Sequence, residues 1–415
     1  MDKTPKANRL HIALLGRTNV GKSSLLNWML GQDIAITSPV AGTTTDVVEK
    51  AMELLPLGPV LFLDTAGLDD ISELSGRRLE KTAQVFDRAD VVMLIVEADT
   101  WTADEEAVLA EAEKHRLPVL AVVNKIDLAA PSSEYLNFLA QKTGRVLTVS
   151  CADPAKRETY LDELKKQLLA AAPADFLAAP SLVGDLLPPG GLALLVVPID
   201  LQAPKGRLIL PQVQTLRDIL DNDAQALVVK ERELAAALAG LKNPPSLVIT
   251  DSQAVLKVTA DVPPTIPVTT FSILFARQKS DLAAMAAGAA AIDRLTPGDR
   301  VLIAEACSHH ALEDDIGRVK IPRWLRQYIG GDLHIDTVCG RDYPDNLADY
   351  RLIFHCGACM LNRREMLSRM ARAKDAGVPV TNYGVAISFL QGVLARSLAP
   401  FPAALAAFEK AAKNA

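Results

Sequence analysis

The sequence predicts an α/β protein built from three α/β domains, the first a phosphate-loop (P-loop) domain with a mainly parallel sheet. Three observations carry that expectation. Apolar runs of strand length alternate with amphipathic helical stretches along the first 150 residues, the pattern of a parallel sheet covered on both faces. A glycine-rich loop stands between the first strand and the first helix, the order a phosphate site needs. The Pro/Ala-rich stretch AAPADFLAAP at 171–180 and the prolines of VPPTIPVTT interrupt the alternation and read as linkers. The domains are therefore expected at residues 1–172, 181–264 and 265–415.

In order, the strands of the first domain are LHIALLG, VLFLDTAG, ADVVMLIVEA, LPVLAVVNKID and RVLTVSCA, with helices between most of them. The second domain resumes the alternation on a smaller scale through GLALLVVPI, VQTLRDIL, ALVVK, RELAAALAGL, SLVITD and AVLKV. None of these segments gathers residues that suggest chemistry, so a module for association is expected there. The third domain opens with the helix SDLAAMAAGAAAIDRL, for which Ser280 or Asp281 is the candidate cap. The strands DRVLIAEA and YRLIFH follow, each ending at a cysteine group, where open α/β sheets place their ligands. The segments LNRREMLSRMARAKDAG, VPVTNYG and AISFLQGVLARSL complete it.

Bulk properties narrow the function classes. A chain of 415 residues exceeds one ordinary core. A net charge of -6 without a long basic run argues against a nucleic-acid platform. Five cysteines in this length do not make a secreted disulfide framework. MDKTPKANRL runs into LHIALLG without an apolar leader or a small-residue cleavage site. VVMLIV and LALLVVPI fall short of the about 18 to 20 residues of a membrane span. A cytoplasmic protein with neither nucleic-acid nor membrane partners is the expectation.

The segment Gly16-Arg17-Thr18-Asn19-Val20-Gly21-Lys22-Ser23, followed by Ser24, matches the phosphate loop at every required position. Its amides can wrap phosphates, Lys22 can reach the β and γ oxygens, and the Ser23 hydroxyl can bind Mg2+. Asn124-Lys125-Ile126-Asp127 decides the base, because the Asp127 carboxylate can accept the paired N1 and N2 donors of guanine, which adenine lacks. Asp64-Thr65-Ala66-Gly67 supplies a magnesium-linked carboxylate and a γ-phosphate amide, and Thr44, or its neighbour Thr43, is the candidate switch threonine. Ser150-Cys151-Ala152 stands where a loop supporting the base belongs. Leu68 occupies the position where many small GTPases carry a water-orienting glutamine. GTP with Mg2+ is the expected ligand, with Lys22, Ser23, Asp64, Gly67 and Asn19 as candidate catalytic residues.

The cysteines make a second constellation. Cys307 lies in EACSHH, while Cys356 and Cys359 lie in HCGACM. Three thiolates can hold three irons of a 4Fe-4S cluster and leave the fourth for another ligand. A Cys3His zinc site is the chemical competitor, with His309, His310 and His355 at hand, and a set of buried, unliganded thiols is the bland alternative. If 303–307 is extended, Glu305 shares a face with Cys307 and becomes the candidate fourth ligand, with His309 and His310 as alternatives. Cys151 and Cys339 join neither group and read as ordinary buried thiols.

On its nucleotide motifs the chain resembles the translation-factor-related GTPases, in the branch of tRNA-modification and ribosome-assembly GTPases. Asn19 sits where some of these relatives use K+ in place of an arginine finger, which makes it a candidate potassium ligand here. The segments IAEACSHHALEDDIGRVKIPRWL, FHCGACMLNRREM, VPVTNYG and TFSILFARQKSDL resemble a narrower group, the FeFe-hydrogenase maturation GTPases of the HydF family. That resemblance covers essentially the whole chain. It implies an amino-terminal GTPase, a central dimerisation domain and a carboxyl-terminal domain with a 4Fe-4S cluster. It also implies a homodimeric scaffold or carrier that receives a di-iron precursor with carbonyl and cyanide ligands and delivers it to apo FeFe-hydrogenase. Two radical-SAM maturases are the expected partners, and this chain lacks their CxxxCxxC signature. Ala358 replaces a second glycine expected in the CGAC segment. The competing readings are an RNA-associated GTPase, against which the missing GxxG clamp and basic stripe speak, and a redox-sensing regulatory GTPase.

Overall fold

The computed structural model describes residues 4–31, 48–64, 84–177, 180–198, 208–306, 315–340 and 343–413. It divides into two compact units, Met1–Ala179 and Pro180–Ala415.

The first unit is a six-stranded sheet made of β1 (Leu10–Leu15), β2 (Val48–Leu54), β3 (Gly58–Asp64), β4 (Val91–Glu97), β5 (Val119–Asn124) and β6 (Val146–Thr148), in the order β2-β3-β1-β4-β5-β6. All its pairings are parallel except β2 with β3. Alternate residues of β1 point to opposite faces. Leu10, Ile12 and Leu14 enter one core with Leu25 and Met29, and Ala13 and Leu15 enter another with Val92 and Leu94. Burial on both faces is why these strands read as continuous apolar runs. β2, VEKAMEL, escapes that pattern because much of it is exposed at the sheet edge.

The second unit holds two four-stranded parallel sheets. β7 (Leu192–Val196), β8 (Gln225–Val229), β9 (Leu247–Thr250) and β10 (Val268–Thr270) form one, ordered β10-β9-β7-β8. β11 (Arg300–Glu305), β12 (His334–Cys339), β13 (Leu352–His355) and β14 (Val380–Asn382) form the other, ordered β12-β11-β13-β14. The boundary expected after residue 264 needs correction: β10 lies beyond it and pairs with β9, so the middle sheet continues to Thr270. A three-residue strand, VTT, has too little sequence to show a period. The two sheets are not separate bodies either. One apolar cluster joins Ala193, Leu195 and Ile249 of the first to Leu302, Ala304 and Ile353 of the second, with Phe271, Leu274 and Phe275 among them. The helix Leu282–Ala289 is capped by Asp281, whose carboxylate accepts from Ala284 N. Among the described residues no helix is long and apolar enough to cross a membrane.

Candidate functional site

The nucleotide motifs converge at the carboxyl ends of β1, β3 and β5, all in the first unit. The loop 16–21 connects β1 to the helix Lys22–Leu30. Gly16 and Gly21 hold φ of +144° and +96°, and a β-carbon on either would lie 2.3 Å from Ile95 O and Asn124 Nδ2, respectively. Asn19 also turns left-handed, with φ of +64°, a conformation asparagine tolerates better than most side chains. Lys22 is buried, and its ammonium donates to Gly16 O at 2.8 Å and Arg17 O at 2.9 Å, inside the loop it follows. Ser23 and Ser24 are exposed at the helix start.

The segment Asn124–Asp127, expected to read the base, is tied to that loop. Asn124 Nδ2 donates to Val20 O at 2.9 Å, and Lys125 Nζ donates to Asn19 O at 2.5 Å and to Glu97 Oε1 at 2.7 Å. Ser150 Oγ donates to Asp127 Oδ1 at 2.5 Å and accepts from Ala152 N at 3.3 Å, which fixes the carboxylate by the loop expected to support the base. Cys151 Sγ lies 3.4 Å from Asn124 Oδ1. Burial, reinforced by the Asp127 charge, pushes that thiol up to about 11. Asp64 is buried at the end of β3. Thr43, Thr44, Gly67 and Leu68 lie outside the described residues.

The motifs did not disclose one member of this region. Arg17 Nε pairs with Glu105 Oε1 at 2.7 Å. Glu105 is also the capping-box carboxylate of the helix Ala103–Lys114, accepting from Thr102 N at 2.7 Å and Thr102 Oγ1 at 2.6 Å. Thr102-x-x-Glu105 is a readable cap, but the partner 88 residues away is not.

In the second unit the cysteine-bearing segments meet at the carboxyl edge of the β12-β11-β13-β14 sheet. Cys356 follows β13 and donates its N–H to Ala304 O at 3.0 Å, which continues the β11–β13 ladder. Its Sγ accepts from Ala306 N at 3.1 Å, so the residue before Cys307 already touches Cys356. Cys307, His309 and His310 lie outside the described residues. Between Cys356 and Cys359 the chain turns through Ala358, with φ of +52°. Glycine favours this left-handed conformation, which accounts for the glycine the resemblance leads one to expect.

Lys279, which sequence reasoning did not single out, is 4% exposed. Its Nζ donates to Ala358 O, Cys359 O and Leu361 O at 3.0, 3.2 and 2.8 Å. Burial pulls this lysine down to about 8 against the opposing pull of Cys359 and Cys356. Burial raises the Cys359 thiol, and the Lys279 charge opposes that rise.

His355 is fully buried and both its ring nitrogens are engaged, Nδ1 with Cys356 O at 3.0 Å and Nε2 with Arg369 Nη1 at 3.2 Å. Arginine only donates and a carbonyl only accepts, so the ring carries its proton on Nδ1. Burial, with the Arg369 charge, holds it down to about 3. This occupation removes His355 from the histidines counted toward a Cys3His site.

Glu305 is buried, and its Oε2 receives Arg318 Nε at 3.2 Å. Cys339, in register with it on β12, stands 3.4 Å from the same oxygen and accepts from Arg318 Nη2 at 2.7 Å. Cys339 is thus a part-exposed member of a Glu305–Arg318–Cys339 group rather than an ordinary buried thiol. Arg318 comes from a π-helical turn, Ile316–Lys320. Gly317 is required in that turn because a β-carbon there would lie 2.6 Å from Glu305 Oε1. Among the described residues no three His, Cys, Asp or Glu side chains gather closely enough to hold a metal ion. The donors that are described suit a thiophilic, anionic group: two thiols in one turn, a backbone amide aimed at one sulfur, and a buried ammonium behind the other.

Family comparisons match this architecture along the chain. The 50S ribosome-binding GTPase model matches residues 11–125, the hydrogen maturase F dimerization domain 182–280 and the hydrogen maturase F tetramerization domain 283–400. The last two together span more than half of the chain.

The chain belongs to the hydrogen maturase F family.

Its GTPase domain is shared more widely. A tRNA modification GTPase MnmE from Dechloromonas aromatica is 36% identical over 166 residues, which is 39% of this chain and 35% of that protein. A GTPase Der from Persephonella marina is 36% identical over 141 residues, 33% of this chain and 31% of that protein. The chain thus spans about a third of the length of these curated relatives. Among solved structures, an Era variant from Aquifex aeolicus bound to GDP and aluminium fluoride aligns with 53% of this chain and 93% of its own, at 22% identity and TM-score 0.32. The hydrogen maturase F models support oligomerisation, and the segment bearing the cysteine groups falls in the match to the tetramerization domain.

Proposed function

We propose that this hydrogen maturase F family member is a GTP-hydrolysing iron-sulfur scaffold or carrier. It receives a di-iron precursor and delivers it to apo FeFe-hydrogenase, working with two radical-SAM maturases in the cytoplasm. The observation that carries the cluster half of this reading is the hydrogen bond from Ala306 N to Cys356 Sγ. That bond sets the segment leading into Cys307 against the Cys356–Cys359 turn, so three thiolates can share one 4Fe-4S cluster. Glu305, already beside Cys339 and Arg318, is the exchangeable fourth ligand, for which Arg318 must release its carboxylate. Bound there, the cluster would supply an iron with an exchangeable position for a cargo. Lys279 and the Ala306 amide stabilise the anionic thiolates, and Ala358 shapes the turn.

In the GTPase domain, Gly16 to Ser24 wrap the phosphates and Lys22 leaves the loop carbonyls for the β and γ oxygens. With nucleotide bound, Ser23 and Thr44 would hold Mg2+ and Asp64 would be linked to it, and Gly67 would serve the γ-phosphate. Asn124, Lys125 and Asp127 read guanine, with Ser150, Cys151 and Ala152 behind the base. Loss of γ-phosphate contacts then alters association with partners rather than the chemistry of the cargo. A role on tRNA or ribosomal subunits has weaker support, because the likeness to MnmE and Der is confined to about two fifths of the chain or less.

Anaerobic reconstitution with iron and sulfide, followed by EPR of the dithionite-reduced protein, tests this. The expected result is a reduced 4Fe-4S signal that Cys307→Ala abolishes while leaving GTP turnover, and that Lys22→Ala leaves while abolishing turnover. Retained zinc with no such signal overturns the cluster reading.

A further inference from the structure

Lys279 is the last residue of the helix Phe271–Lys279 and carries a charge into the protein interior. Among the described residues no carboxylate pairs with it, whereas a buried cation normally has one beside it. Its hydrogen-bond partners are three backbone carbonyls, of Ala358, Cys359 and Leu361. Its remaining neighbours include the Phe275 ring, with the centroid 5.5 Å from Nζ, and Cys356 and Cys359, whose thiolate forms favour its charged state. A neutral amine has two N–H groups, whereas an ammonium has three. Three carbonyls, which only accept, therefore call for the charged form. A narrow crevice lined by Phe275, Lys279, Met285, Cys356, Gly357 and Asn382 borders this group.

We infer that Lys279 is the positioning residue of the Cys356–Cys359 turn and the buried counter-cation of the anionic group those thiols hold. One ammonium ties three successive parts of the turn to the end of one helix, which fixes where the two sulfurs stand before anything binds. Its charge is balanced once the thiolates are formed and carry their ligand. Because the ammonium sits in a poorly hydrated interior, its field reaches the sulfurs with little screening. It favours the more negative state of whatever is bound there, and so raises the reduction potential of a cluster. The second role rests on the cluster reading above; the first does not.

The test uses the full-length chain in two states. In the metal-free protein, hydrogen exchange of the 357–362 amides is compared between the native chain, Lys279→Met and Lys279→Gln. Loss of three charge-assisted bonds predicts exchange at least about tenfold faster in Lys279→Met, and a smaller increase in Lys279→Gln, which keeps two donors. In the reconstituted protein, a redox titration followed by EPR gives the midpoint potential. Both neutral variants are expected to shift it to more negative values and to release iron to a chelator faster. Native-like exchange in folded Lys279→Met overturns the positioning role. An unchanged midpoint in iron-loaded variants overturns the counter-cation role. If Lys279→Met does not fold, Lys279→Gln decides both points. Should the native chain take up no cluster, the scaffold reading fails, while the exchange comparison still decides the positioning role.

Discussion

At the scale of single residues, the phosphate loop is held by contacts that leave no room for side chains. Gly21 combines a φ of +96° with an Asn124 amide only 2.3 Å from where a β-carbon would stand. Gly21→Ala must move Asn124, which in turn holds Val20 O and begins the Asn124–Asp127 segment proposed to read guanine. Backbone strain of about 1 to 3 kcal/mol falls on the conformation that binds nucleotide. The expected outcome is a GDP affinity at least about tenfold weaker by fluorescent-nucleotide titration, with a near-native circular dichroism spectrum. Native affinity would show that the loop adjusts without involving Asn124. Asn19 poses a different question. Its backbone is left-handed, its carbonyl is engaged by Lys125, and the residue is exposed, so its side chain can turn toward a cation beside the phosphates. GTP turnover is expected to be faster in KCl than in NaCl at equal ionic strength, with the difference lost in Asn19→Ala. Equal turnover in the two salts would assign Asn19 to loop geometry alone.

At the scale of elements, the helix Ala103–Lys114 is capped by a carboxylate that also grips the phosphate loop. Burial opposes ionisation of Glu105, but hydrogen bonds from Thr102 and Arg17 outweigh it and hold the carboxyl below its ordinary value of 4.5. A depressed carboxylate contributes stability that is present above the unfolded value and lost as pH falls through the folded one. Glu105→Gln sets an amide N–H against donors and is expected to cost about 1 to 3 kcal/mol at pH 7. Urea unfolding should show that gap narrowing as pH falls below 4.5, and a gap independent of pH would mean that the charge is irrelevant. The strands β1, β4 and β5 were readable because both faces are buried. The edge strand β2 and β12, with its mixed exposure, were not, since neither repeats an apolar pattern. The sites divide in the same way. The phosphate loop, Asn124 to Asp127 and the Cys356–Cys359 pair are local in sequence, so spacing alone makes them candidates. Arg17 with Glu105, Lys279 with the cysteine turn, and Arg369 with His355 join distant segments, and composition and spacing carry no trace of them.

At the scale of the whole molecule, the alternation of strands and helices suggested more divisions than the packing supports. The middle and last sheets share one apolar cluster, and the helix Phe271–Lys279 lies within it, with Phe271, Ile273, Leu274 and Phe275 all buried. Its polar groups also reach both sides. Arg277 pairs with Asp185 and Gln278 Nε2 donates to Pro180 O on one side. On the other, Asn382 Nδ2 donates to Ser272 O at 2.8 Å and Gly384 N to Ser272 Oγ at 3.2 Å. Met1–Ala179 and Pro180–Ala415 are separate compact units, each with apolar clusters of its own, so 1–179 and 180–415 are each expected to be soluble and to unfold cooperatively. A cut after Ser280 strips the last sheet from that helix and uncovers large apolar side chains, each worth about 1.5 to 3 kcal/mol when buried. The fragment 180–280 should then melt at a lower temperature than 180–415, with a broader transition and increased binding of a hydrophobic dye. A sharp melt of 180–280 at the temperature of 180–415, without dye binding, would show that the middle sheet holds its own core and that the shared cluster adds little to stability.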